Sequence, residues 1–152
     1  MPTLYVFKPL IFNNKKQQQA YNRMVRNVKR TLPIAKEVNR AIIETYEYLQ
    51  TLPDEKARQK HLNQVEKGVK EQYTPRLKKL SFSQGKLLIK LVNRQTDSSS
   101  YELVKAFMGP FKAGFYQTFA ALFGASLKKE YHPEGEDRLT ERVVLLVENG
   151  QI

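Results

Sequence analysis

The chain has 152 residues, 41% of them hydrophobic and 27% charged, with no cysteine and a net charge of +11 at pH 7. Those figures are expected of a globular domain with room for a core, not of a disordered or fibrous chain. The missing cysteine excludes disulfides, thiol nucleophiles and thiolate metal sites together.

The charge is unevenly placed. Residues 1–40 carry nine Lys/Arg against Glu37 alone, a balance of +8, whereas residues 113–152 sum to −2. A basic N-terminal quarter favours an anionic partner, with solubility as the ordinary alternative. No secretory leader is read at the start, because Lys8 and Pro9 interrupt the apolar run Met1 to Phe12 and no small-residue cleavage site follows. The longest apolar stretch, Ala113 to Ala125, contains Gln117 and Thr118. It falls short of the roughly 18 residues a membrane span needs, so no transmembrane segment is expected.

Residues 1–14 read as an extended arm, since Pro2 to Phe12 is rich in β-branched and aromatic residues and holds two prolines. Residues 15–152 read as a single helical domain. Asn13 or Asn14 can cap a first helix from Lys15 to Thr31, with Tyr21, Met24, Val25, Val28 and Leu32 on one side. Lys16, Arg23, Arg26 and Arg30 gather on the opposite side. Pro33 is expected to end or kink this helix, and the period resumes over Ile34 to Gln50. Thr51-Leu52-Pro53-Asp54 reads as a new start capped by Thr51, leading to a mostly polar helix with a thin stripe of Leu62, Val65, Val69 and Tyr73. Thr74-Pro75 begins a short turn.

Leu80 to Thr96 is the most inward-looking stretch, its apolar arc spanning roughly 200° in projection. Ser81 and Gln84 form a capping box at its start. Ser99 with Glu102 forms another, for a helix from Tyr101 to Met108, and Gly109-Pro110 opens a second core helix over 110–124. Glu136 to Asn149 is the last helix, with Leu139, Val143, Leu146 and Val147 inward and Gly150 as its stop. The fold class expected is all-α: six or seven helices around the two core helices at 81–96 and 110–124. Gly85 and Gly114 inside those helices point to close backbone approach, because glycine there costs about 1 kcal/mol against alanine.

Chemistry-bearing motifs are few. Ser83-Gln84-Gly85-Lys86 has the Ser-x-x-Lys spacing of penicillin-recognising enzymes, but the companion Ser-Asp-Asn and Lys-Thr-Gly elements are missing. The capping box explains the same residues. His61 and His132 have no ligand partner at helical spacing, and Glu130 to Asp137 matches no calcium loop, so neither a metal nor a cofactor is expected. The acids before the last helix suit the positive end of its dipole.

The basic face of Lys16, Arg23, Arg26 and Arg30 is the strongest functional feature. Its ordinary reading is a solvated surface; its functional reading is contact with an anionic polymer or surface, or with another envelope protein. Sequence-specific DNA binding is not expected, because no helix-turn-helix signature, zinc module or aromatic platform accompanies the face. The alternative is an enzyme of unrecognised type with a polar pocket around Ser83, Lys86, Lys90, Arg94, Tyr101 and Glu102. A third reading lays the basic face on the acidic C-terminal helix, so that the charges cancel internally.

The block Arg23 to Arg30 with Pro33, Ala35 and Lys36 resembles the opening of a Bacteroidetes family, a domain of unknown function. Ser83 to Leu91, Tyr101 to Lys105, Leu122-Phe123-Gly124 and Pro133 to Asp137 resemble it too. Tyr116 stands where that family would have tryptophan, and Leu32 and Ile34 where aromatics are common. The resemblance implies a bacterial, exported protein and supplies no activity or catalytic residue.

Overall fold

The computed structural model describes residues 4–97 and 131–152, which contain four α-helices and no strand. These are α1 (Lys15–Gln50), α2 (Glu55–Leu77), α3 (Phe82–Asp97) and α4 (Arg138–Glu148). The expected helices at 101–108 and 110–124, the Ser99/Glu102 box and Gly114 lie outside the described residues.

α1 is one helix of 36 residues, not two, with Pro33 in its interior. This corrects the expected break. A proline inside a helix costs about 3 kcal/mol, since it lacks an N–H and crowds the carbonyl four residues back. Here Thr31, Leu32, Ile34 and Ala35 on both sides of it are all buried. Each fully buried aliphatic side chain contributes about 1.5–3 kcal/mol, so packing across the proline outweighs the local cost. Asn14 caps the helix by accepting from the Gln17 N–H at 2.9 Å.

At the other end Thr51 closes α1 instead of opening α2, and its hydroxyl donates to the Tyr48 carbonyl at 2.7 Å. Asp54 is the true N-cap of α2, accepting from the Ala57 N–H at 2.7 Å. A carboxylate three residues after a threonine could serve either role, and the fold gives the cap to the acid. α2 runs antiparallel to α1. The Tyr48 and His61 rings lie 4.4 Å apart near its start, and Arg76 near its end pairs with Glu37. Its inward stripe is the expected one, but the helix runs on through Pro75, correcting the expected new turn at Thr74-Pro75, and adds Leu77, which is fully buried.

α3 packs most extensively on α1. Leu88, Ile89, Leu91 and Val92 are at most 1% exposed, which fits the broad apolar arc. Ser81 and Gln84 make the reciprocal capping box, with bonds of 3.0 and 3.2 Å. Gly85 is buried.

α4 also packs on α1, with Val143 and Val144 fully buried. Of the residues expected inward only Val143 is fully so; Leu139, Leu146 and Val147 are half-buried. Gly150 takes a φ of 68°, a left-handed turn suited to glycine. The Gly150 and Gln151 N–H groups then donate to the Val147 and Leu146 carbonyls, which closes the helix in a Schellman motif.

The N-terminal arm lies on this C-terminal end. The Gln151 side-chain amide accepts from the Tyr5 N–H at 3.1 Å and donates to the Tyr5 carbonyl at 3.0 Å. Arg142 donates to the Lys8 carbonyl at 2.8 Å and sits over the Phe7 ring. One glutamine thus takes the place of a neighbouring strand.

Candidate functional site: the basic face of the first helix

Lys16, Arg23, Arg26 and Arg30 are all exposed on α1. With a rise of 1.5 Å per residue, they span roughly 21 Å along the helix. None of them forms an ion pair among the described residues.

The acids that might have neutralised them are used elsewhere. Asp137 is buried and accepts from Lys90 at 2.7 Å and from the His132 N–H at 2.9 Å. It therefore does not cap α4, despite standing at its N-cap position. Glu136 lies 3.6 Å from the same Lys90. Arg94 donates to both carboxylate oxygens of Glu141, at 2.8 and 3.0 Å, and pairs with Glu148 at 3.1 Å. Tyr131 donates to Glu141 at 2.7 Å, and Lys36 reaches Glu148 at 2.9 Å. The third reading is corrected accordingly: α4 draws on Lys90, Arg94 and Lys36, not on the basic face.

Titration follows from this geometry. Burial alone would raise the Glu141 carboxyl, but hydrogen bonds from Arg94 and Tyr131 outweigh it and hold the group below its ordinary range. Burial opposes the charges of Lys90 and Arg94, yet their carboxylate partners hold both above their usual values. Burial pushes the Tyr131 phenol well up, and the bond to Glu141 adds to it. Tyr73, buried beside Glu37, is pushed up to about 12. All of these groups belong to the folded frame.

The four described residues of the expected pocket have different surroundings. Lys90 and Arg94 are held in ion pairs, and Lys86 is exposed, 4.8 Å from the Phe82 ring centre. Tyr101 and Glu102 lie outside the described residues. Ser83 shares no hydrogen bond with Lys86 but meets a member of the other group. Ser83 and Arg23 line one shallow depression of about 530 Å³, together with Asn27, Met24, Leu87 and Thr140. Gln84 donates to Asn27 at 3.2 Å and fixes the start of α3 against α1 there. No group of three His, Asp or Glu among the described residues could hold a metal.

Asn27 stands with Arg23, Arg26 and Arg30 on the polar side of the first helix in the sequence pattern, whereas no local signal marks Thr140. The ionic cluster did leave a signal. Asp137, Glu141 and Glu148, at spacings of four and seven, share one stripe of α4, and Lys90 and Arg94, four apart, share one stripe of α3.

A family model described as a domain of unknown function, DUF4294, matches residues 1–146. The chain belongs to that family. No curated protein and no solved structure matches it. The DUF4294 description names no reaction and no ligand, so the residues carry the functional reading. Among the described residues, no helix is long and apolar enough to cross a membrane.

Proposed function

We propose that this DUF4294 chain is a non-enzymatic binding or scaffold module that meets an anionic polymer or surface through Lys16, Arg23, Arg26 and Arg30, in the bacterial envelope setting that the resemblance implies. One observation carries the reading. The acids of residues 136–148 pair with Lys90, Arg94 and Lys36, so these four cations keep their charge for solvent or a partner. Arg23/Arg26 and Arg26/Arg30 are like-charge neighbours at i,i+3 and i,i+4, an arrangement that works slightly against the helix and favours an anion beside it. Pocket catalysis has less support, because Lys90 and Arg94 are saturated by carboxylates.

The test is binding of labelled duplex DNA, single-stranded RNA and anionic vesicles at two salt concentrations. Wild type is compared with the Arg23→Ala/Arg26→Ala/Arg30→Ala variant. Affinity should fall steeply with salt, as expected when several contacts release counterions, and should be lost in the triple variant. The ligand bound most tightly names the partner class. No binding to any of the three at low salt would overturn the proposal.

A further inference from the structure

A second cationic surface lies around Pro33 and uses none of the four residues assigned above. It is a groove of about 560 Å³ with Leu32, Pro33 and Val147 in its lining. Lys29, Lys36 and Arg40 of α1 and Arg76 of α2 contribute four positive charges, and Glu37 and Glu148 two negative ones. Both acids are occupied. Glu37 pairs with Arg76, and Glu148 with Lys36 at 2.9 Å. Lys29 and Arg40 are exposed and have no ion-pair partner among the described residues.

These two cations are eleven residues apart, roughly 16 Å along the helix, which one carboxylate or phosphate cannot bridge. An extended polypeptide advances about 3.3 Å per residue and turns alternate side chains to the same face, so two acidic side chains four residues apart stand roughly 13 Å apart on one face, a span that the long Lys29 and Arg40 side chains can meet. The apolar lining between the cations suits an uncharged side chain between the acids. The groove lining has no aromatic ring, whereas single-stranded nucleic acid relies on such rings for stacking. A flat bilayer cannot enter a groove.

We propose that the Pro33 groove binds an acidic polypeptide segment in extended form, with carboxylates four residues apart, on one face of the segment, meeting Lys29 and Arg40.

The test uses the full chain and fluorescence anisotropy. The probe is a labelled, end-blocked peptide of sequence Glu-Ser-Leu-Ser-Glu. Comparison probes are its Gln-for-Glu counterpart and an oligothymidylate of equal charge. The acidic peptide should bind, and both the Gln counterpart and the Lys29→Ala/Arg40→Ala variant should weaken binding by about tenfold or more. Arg23→Ala/Arg26→Ala/Arg30→Ala should weaken peptide binding less than Lys29→Ala/Arg40→Ala does, because its charges lie outside the groove lining. Equal binding of the two peptides, or an unaffected double variant, overturns the groove assignment and leaves the basic-face reading standing. Tighter binding of oligothymidylate, lost in the double variant, would also overturn it by making the ligand a nucleic acid. Both substituted side chains are exposed, and an unchanged far-ultraviolet circular dichroism spectrum confirms that the variant folds.

Discussion

The two ends of the ionic landscape behave oppositely. Around α4, cations and carboxylates meet at hydrogen-bond distance, partly buried, and the Arg94 side chain is only 14% exposed. Along the first half of α1, six cations, Lys15, Lys16, Arg23, Arg26, Lys29 and Arg30, stand exposed and form no ion pair among the described residues. Both regions are rich in charge, but the first uses it to fix one helix on another and the second leaves it unspent. Charge content by itself therefore says little about function; whether opposite charges converge decides.

The largest test of this contrast is Arg94→Ala. Removing the cation leaves the half-buried Glu141 with the Tyr131 hydroxyl in place of its bidentate partner, and leaves Glu148 to Lys36. Breaking a partly buried pair from one side should cost about 3 kcal/mol in urea-induced unfolding. A loss under about 1 kcal/mol would mean the cluster is no stronger than a surface pair.

Acid should weaken the same region next. Glu141 has a depressed folded pKa, so its stabilisation is complete above the unfolded value of 4.5 and is lost as pH falls through the lower folded value. The unfolding free energy should decline below about pH 4.5, less steeply in Glu141→Gln. Lys90 has the opposite sign: its raised pKa makes its contribution complete at neutral pH and lost only above 10.5.

Gln151→Ala is a smaller perturbation. It deletes both bonds to the Tyr5 backbone, each worth about 0.5–1.5 kcal/mol, but their loss frees only the arm. Cleavage after Tyr5 or Phe7 in limited chymotrypsin digestion should accelerate while global stability barely changes. Unaltered cleavage would show that Arg142 alone holds the arm.

The smallest effect sharpens the comparison most. Arg23→Ala/Arg26→Ala/Arg30→Ala should leave stability unchanged or raise it by a few tenths of a kcal/mol, since it removes like-charge neighbours and inserts strong helix formers. A loss of more than about 1 kcal/mol would place these arginines among the structural charges.

Much was readable from local pattern. The caps at Asn14 and Ser81/Gln84, the glycine stop at Gly150 and the stripe of α2 all depend on residues within a turn or two of one another. The buried arc of α3 followed from the same short-range periodicity. What misled was equally local. Pro33 has a strong intrinsic preference against a helix interior, and Thr51 looks like a cap until Asp54 competes for the role.

Sequence by itself determined the helical character of the described residues, the positions of most of their helix ends and the concentration of positive charge in the first quarter. These rest on backbone propensities and spacings that need no distant partner. Only the tertiary structure decided that α1 runs unbroken through Pro33, because burial on both sides of the proline outweighs its cost. Only the tertiary structure brought Ser83 beside Arg23, laid the arm on Gln151, and matched the acids of α4 to Lys90, Arg94 and Lys36. Each of those contacts joins residues far apart in sequence, so nothing in the local pattern fixes which charge finds a partner and which stays free.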